Sequence, residues 1–141
     1  MSTVANILQK KGPHFNKLEA DTNVICALAI MKAENSSYVI VTRNGEYAGL
    51  FCERDYTQKI VLSGRVAEET TIGEVMTANL PHIDLDGSLM RCMMLMTSHK
   101  TRYLPVFDEF EFKGVVTMKD LVKDLIEGET VPADEQLEFA T

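Results

Sequence analysis

The chain has 141 residues, of which 45% are hydrophobic and 25% charged, and it carries a formal net charge of −7 at pH 7. This size suits one compact domain or two half-domains with a shared core. The negative charge argues against a nucleic-acid partner. The lack of an apolar run of roughly 18 residues argues against a membrane partner. The three cysteines form no CxxC pair and the first residues lack an apolar signal-peptide core, so we expect reduced thiols, no zinc knuckle and a cytoplasmic location.

The first half of the chain predicts a helix, a β-hairpin and a second helix, in that order. An N-cap signal at Asp21-Thr22 precedes apolar residues at three-to-four spacing through residues 24–31. Short β-prone runs at residues 38–41 and 47–52 flank an Asn-Gly turn, which predicts an antiparallel hairpin. Helical spacing then returns over residues 53–62.

The second half repeats this order after a polar linker at residues 63–71, and its N-cap signal lies at residues 86–88. Pro105 cannot donate to a β-ladder, so its strand should lie at a sheet edge or turn that position away from its partner. The end of the chain is rich in acidic residues, which predicts a flexible tail. The predicted elements of this half are a helix at residues 89–96, strands at 103–106 and 112–117, and a helix at 118–126.

A tandem duplication accounts for this repetition. A shift of 65 residues aligns residues 18–61 with residues 83–126 without a gap, and a shift of 68 residues aligns the segments that precede them. The identities include Asp55 with Asp120, and the hydrophobic pattern repeats as well. We therefore predict two copies of one structural unit.

Both copies carry the pattern Gly-h-h-x-x-x-Asp at the junction of the last strand and the last helix, where h is hydrophobic. The second copy reads GVVTMKD over residues 114–120 and is preceded by TRYLPV at residues 101–106. The first copy reads GLFCERD over residues 49–55, with Cys52 in place of the hydroxyl residue. These registered motifs resemble the cystathionine-β-synthase (CBS) domain, in the paired form called a Bateman module, over residues 3–127.

The resemblance implies an α/β fold of two β-α-β-β-α units that are related by a pseudo-twofold axis and packed through their short sheets. We place the first repeat at residues 1–66, the second at residues 67–127 and an acidic flexible tail at residues 128–141. The resemblance also implies ligand clefts between the repeats and a homodimer, which fits helix faces rich in Met and Leu. Because no output domain is evident, regulation would pass through a separate effector protein or through a change in the shape of the dimer.

The Thr-x-x-Asp spacing brings a hydroxyl and a carboxylate together beside unpaired backbone N–H groups at a helix start, and such a corner suits a ribose and a phosphate. By resemblance the ligand contains adenosine, with AMP, ATP, NADH and S-adenosylmethionine as candidates. Asp120 would then hold the ribose, Thr117 the ribose or phosphate, and Arg102 the phosphate. Tyr103 offers a ring for stacking on a base. Lys119 either offers an ammonium group for a phosphate or is a solvated helix residue.

Further candidate residues are matched to the family less closely. In the first copy Arg54 and Asp55 are candidates, but a thiol is a weak donor and acceptor, so Cys52 predicts one good site rather than two. The resemblance places the adenine contacts on two segments, Pro13, His14 and Phe15 in one and Ser37, Tyr38 and Val39 in the other.

Two other interpretations compete with ligand binding. Asp55 and Asp120 also fit a structural role, because Asp is favoured in the first turn of a helix. The alternative function is a dimerisation or protein-interaction platform that binds no nucleotide. An enzyme is not expected, since the sequence has no Ser-His-Asp order, no Gly-rich phosphate loop and no histidines at metal-ligand spacing.

Overall fold

The computed structural model describes residues 2–13 and 16–128. The chain divides into two compact units: residues 15–79, called the first unit, and residues 1–14 with 80–141, called the second unit. No helix in the described part of the chain is both long and apolar enough to cross a membrane. In chain order the elements are α1 (Val4–Lys11), β1 (Lys17–Glu19), α2 (Val24–Glu34), β2 (Tyr38–Arg43), β3 (Glu46–Cys52), α3 (Glu53–Asp55), a π-helical segment (Tyr56–Val61), α4 (Ile72–Val75), α5 (Leu89–His99), β4 (Tyr103–Asp108), β5 (Glu111–Thr117) and α6 (Met118–Glu127).

The first unit contains a three-stranded sheet in the order β1-β2-β3. β1 runs parallel to β2, with Leu18 opposite Val41, and β2 pairs antiparallel with β3. A parallel pair needs a crossover connection, which α2 supplies. Asn44 and Gly45 both have positive φ and close the hairpin, as the Asn-Gly signal predicts.

The second unit repeats this arrangement residue for residue in its hairpin. Tyr103 lies opposite Thr117 as Tyr38 lies opposite Cys52, and in both sheets an irregularity in register follows the fourth residue of the hairpin's first strand. The counterpart of β1 is reduced to one parallel bridge between Ile83 and Val106, so the sheet β4-β5 has two strands. The predicted α/β class, with two short sheets, is therefore confirmed.

The helices α2 and α5 begin and end alike. Asn23 caps α2 and Ser88 caps α5, each through a side-chain oxygen that accepts from the backbone N–H three residues later. A left-handed residue ends each helix, Asn35 in one and Lys100 in the other. The cap of α2 lies one position after the predicted Asp21-Thr22, because it is the Asn23 oxygen that reaches the N–H of the third helical residue.

The helix predicted over residues 53–62 is regular only in its first turn. It continues from Asp55 as the π-helical segment Tyr56–Val61. The Thr57 hydroxyl donates to the Glu53 carbonyl at 3.1 Å, a bond that competes with the regular helical ladder. In the second unit the corresponding helix, α6, is a regular α-helix.

Pro105 lies on β4 opposite Val115. Its carbonyl accepts the Ile83 N–H at 3.1 Å, on the edge of β4 that faces away from β5. The missing N–H of a proline lies on the same edge as its carbonyl, so the β4-β5 ladder loses no hydrogen bond. The structure confirms that this position turns away from its hairpin partner.

The helix in front of each copy packs in the unit of the other copy. α1 precedes the first copy but lies in the second unit, where the Val4 N–H donates to the Gly87 carbonyl at 2.9 Å. α4 precedes the second copy but lies in the first unit, where the Ile72 N–H donates to the Thr22 carbonyl at 2.8 Å. The two compact units therefore do not coincide with the two sequence repeats, because backbone pairing and apolar burial place α1 and α4 with the other copy.

Candidate functional site

The second-copy corner, formed by Thr117 and Asp120 where β5 meets α6, is a reciprocal capping box. The Thr117 hydroxyl accepts the Asp120 N–H at 3.1 Å, and Asp120 Oδ2 accepts the Thr117 N–H at 2.9 Å. These two bonds satisfy two of the free donors at the start of α6. They also fix the hydroxyl and the carboxylate side by side, as the Thr-x-x-Asp spacing predicts.

Lys11, at the end of α1, completes this corner and was not among the residues that the sequence singled out. Its ammonium lies 2.8 Å from Asp120 Oδ2 and 2.8 Å from the Val115 carbonyl oxygen. The Asp120 side chain is 16% exposed, and among the described residues its hydrogen bonds and ion pair all involve Oδ2. The only signal for Lys11 in the sequence was its position two residues before the candidate Pro13. Its role depends on the packing of α1 in the second unit, which the sequence does not reveal.

Other predicted residues of the second unit lie at the same strand-to-helix junction. Tyr103 is half-buried and opposite Thr117, and the carbonyl of Arg102 accepts the first N–H of α6, that of Met118, at 2.9 Å. The Arg102 and Lys119 side chains are exposed. The junction therefore combines one partly open carboxylate with basic side chains on both sides of it in sequence. Pro13 is exposed in the segment that follows α1, and His14 and Phe15 lie outside the described residues.

The first-copy corner, formed by Cys52 and Asp55 where β3 meets α3, is closed. Asp55 is 3% exposed, and its Oδ2 accepts the Cys52 N–H at 3.0 Å and the Cys52 thiol at 3.4 Å. Its Oδ1 accepts the Thr77 hydroxyl at 2.8 Å and pairs with the Lys59 ammonium at 2.9 Å. Four donors from the chain thus surround a carboxylate that water barely reaches.

The remaining predicted residues of the first unit differ in their exposure to solvent. Val39 is fully buried in the core, so its side chain cannot meet a ligand in this conformation. Tyr38 is half-buried opposite Cys52, and Ser37 and Arg54 are exposed. The structure thus groups Thr117, Asp120, Arg102, Tyr103 and Lys119 in one unit and Ser37, Tyr38, Val39, Arg54 and Asp55 in the other.

Gly49 of the first motif is required by a close approach of the chain. A Cβ at this position would lie 2.6 Å from the Thr77 carbonyl oxygen and 3.1 Å from Met76 Sδ. The approach comes from two backbone bonds between Leu50 and Thr77, at 3.0 and 2.8 Å. The absence of a side chain at Gly49 therefore lets Thr77 approach closely enough for its hydroxyl to reach Asp55.

We expect Gly49→Ala to lower the free energy of unfolding by about 2 kcal/mol, because the added methyl group must push a paired backbone away. Gly64→Ala is the matched control: Gly64 has φ +68 but open space around it, so only the backbone strain of about 1 kcal/mol applies. Urea unfolding measures both. Equal losses in the two variants would show that the approach of Thr77 does not restrict position 49.

The thiols differ sharply in environment. Burial, and then the charge of Asp55, raise the pKa of Cys52, while burial raises the pKa of Cys92 to about 11. Cys26 is exposed on α2. Because only the thiolate reacts, we expect one thiol per native chain to react rapidly with a disulfide reagent at a pH of about 8. A Cys26→Ser variant should lack this fast phase, and a fast phase that survives the substitution would contradict the assignment.

Residues 2–13 and 16–128 contain no cluster of three or more His, Cys, Asp or Glu side chains that could hold a metal ion. The chemistry of the two corners is that of hydrogen bonding and charge.

Comparison with known proteins identifies the family. The CBS domain model matches residues 72–127. A solved CBS-domain protein of Burkholderia ambifaria MC40-6, provisionally assigned to signal transduction, is 32% identical with a TM-score of 0.87, covering 94% of this chain and 99% of that chain. The solved CBS domain NE2398 is 33% identical with a TM-score of 0.83, covering 89% and 98%.

A curated relative agrees with this identification. The CBS domain-containing protein CBSX3, mitochondrial, of Arabidopsis thaliana is 28% identical over 134 residues, or 89% of this chain, which spans 65% of that relative's length. The two solved structures and this relative are all described as CBS-domain proteins, and each aligns with nearly the whole of the present chain. The chain therefore belongs to the CBS-domain family and contains a pair of CBS domains.

Proposed function

We propose that the chain is a regulatory, non-catalytic module that binds an adenosine-containing ligand at the second-copy corner. The observation that carries this proposal is how the two carboxylate oxygens of Asp120 are bonded. Its Oδ2 is held by Thr117 and Lys11, while no described residue uses Oδ1. A carboxylate fixed on one side and open on the other is a suitable acceptor for the two adjacent hydroxyls of a ribose.

The charges around the corner favour an anionic ligand. Lys11 contacts Asp120 directly, and Arg102 and Lys119 are exposed at the same junction. The start of α6 adds the partial positive charge of a helix N-terminus. AMP, ATP or NADH therefore suits the corner better than S-adenosylmethionine, whose sulfonium is cationic. Because the first-copy corner is closed, we expect one ligand per chain.

A thermal-shift panel tests this function. Each of the four candidates is added at about 100 times an expected dissociation constant, where binding to the folded state contributes about 2.7 kcal/mol. We expect at least one adenine nucleotide to raise the melting temperature by about 5 °C or more. No shift with any of the four would overturn ligand binding, and conversion of the nucleotide during a long incubation would overturn the non-catalytic role.

The alternative function, a dimerisation or protein-interaction platform, has one observation in its favour. Met90 and Met94 on α5 are 63% and 56% exposed and four residues apart, and Leu125 on α6 is 49% exposed. A second copy of the chain could cover such a face isologously. Sedimentation of the unmodified chain and of a Met94→Glu variant, each without and with nucleotide, separates the two functions: a dimer that no nucleotide stabilises favours the platform.

A further inference from the structure

The Lys59 side chain, on the π-helical segment of the first unit, points its ammonium into a group of oxygen atoms. The ammonium lies 2.9 Å from Asp55 Oδ1 and 3.3 Å from the Thr77 hydroxyl. It also lies 3.0 Å from the Val75 carbonyl and 3.3 Å from the Met76 carbonyl. An ammonium group has only three N–H donors, so four oxygens at these distances satisfy it completely.

Each of these oxygens needs a donor. The carbonyls of Val75 and Met76 come at the end of α4, where the last turn leaves carbonyl groups without helical partners. Asp55 is buried, and a buried carboxylate is costly unless a cation and hydrogen bonds compensate it. The oxygens are therefore arranged for a cation, whichever molecule supplies it.

The second unit does not repeat this arrangement. The 65-residue shift places Asp124 at the position of Lys59, and the 68-residue shift places Gln9 at the position of Thr77. Asp124 instead pairs with Lys10 at 3.1 Å. The oxygen group is thus a specific feature of the first copy rather than a consequence of the shared fold.

We infer that the first unit contains a binding site for a primary ammonium group and that Lys59 fills it as a tethered ligand. The site is made of the Asp55 carboxylate, the Thr77 hydroxyl and the two terminal carbonyls of α4. Filling it joins the β3-α3 junction to residues 75–77, through which the chain leaves the first unit. The Lys59 side chain is 40% exposed, so its stem runs along a path that is open to solvent. A small ammonium ion can follow the same path once the stem is removed.

Chemical rescue tests this inference without any nucleotide, so its outcome is independent of the proposed function. Lys59→Ala removes three carbons and the ammonium, which together match n-propylammonium. We expect the variant to melt several degrees lower than the unmodified chain, because Asp55 loses its counter-ion. n-Propylammonium chloride at about 100 mM should restore at least half of that loss relative to sodium chloride at equal ionic strength.

Two controls decide whether the oxygen group is responsible. The unmodified chain and the double variant Lys59→Ala/Asp55→Asn should respond to n-propylammonium no more than to sodium chloride. 1-Propanol, which has the same length without the charge, should not rescue Lys59→Ala. Absence of rescue in folded Lys59→Ala, or equal rescue of the double variant, would overturn the inference.

A second variant keeps the test open if Lys59→Ala does not fold. Lys59→Met preserves most of the stem and removes only the charged group. Its melting temperature should then rise with ammonium chloride relative to sodium chloride, because NH₄⁺ can occupy the vacated position among the same oxygens. An identical response to both salts would count against the site.

Discussion

Asp120→Asn is expected to weaken binding of the proposed adenosine ligand by about 10- to 100-fold. A hydrogen bond to a charged group contributes about 1.5–3 kcal/mol, and every 1.4 kcal/mol is a factor of ten in affinity. Asparagine keeps an oxygen that can accept the Thr117 N–H, so the start of α6 should remain capped. The loss should therefore appear in calorimetric titration with the nucleotide that the thermal-shift panel identifies, while circular dichroism stays unchanged.

The duplication supplies the matched control, Asp55→Asn. Asp55 stands at the same place in the first copy but is 3% exposed and bonded to Cys52, Thr77 and Lys59. We expect this variant to lose stability, because it uncouples a buried ion pair, and to retain the affinity for nucleotide as long as it is folded. If Asp55→Asn weakened binding as much as Asp120→Asn, the assignment of one site to the second-copy corner would be wrong.

The hairpins and helices of both units could be predicted because their signals are local and occur twice. The hairpin of β2 and β3 follows from a recognisable Asn-Gly turn, and the duplication predicts the same hairpin for β4 and β5. The capping box at Thr117 and Asp120 likewise depends on residues three apart. For these features the interacting residues are close in sequence, and the same signal in the second copy supports the prediction made from the first.

The partners of the two Asp residues could not be predicted in the same way. Lys11 reaches Asp120 from the other end of the chain, and Thr77 reaches Asp55 across a backbone approach that only Gly49 permits. No local pattern marks either contact. Consequently the sequence ranked the two corners by the hydroxyl lost at Cys52, whereas the structure separates them by which carboxylate still has an open oxygen.

The exchange of α1 and α4 between the units leads to the second large expected effect, which concerns stability. Ile7 on α1 is buried in a core with Leu104 and Val106, whereas Ile72 on α4 is buried in a core with Val39 and Phe51. Replacing a buried Ile with Ala costs about 2–5 kcal/mol, from lost transfer energy and the cavity that remains. Both Ile7→Ala and Ile72→Ala should lower the free energy of unfolding by about this amount in urea titrations.

The region that loses stability in each variant shows where α1 and α4 pack. It distinguishes packing in the unit of the other copy from packing with the copy that each helix precedes in the sequence. Amide hydrogen exchange reports local opening, so Ile7→Ala should lower protection chiefly in β4 and β5, although position 7 lies next to the first copy in the sequence. Ile72→Ala should lower protection chiefly in β2 and β3, although position 72 leads into the second copy. Protection lost in β2 and β3 of Ile7→Ala, to the same degree or more than in β4 and β5, would contradict the packing of α1 in the second unit. That packing is also what brings Lys11 to Asp120, so the same experiment tests how the second-copy corner is assembled.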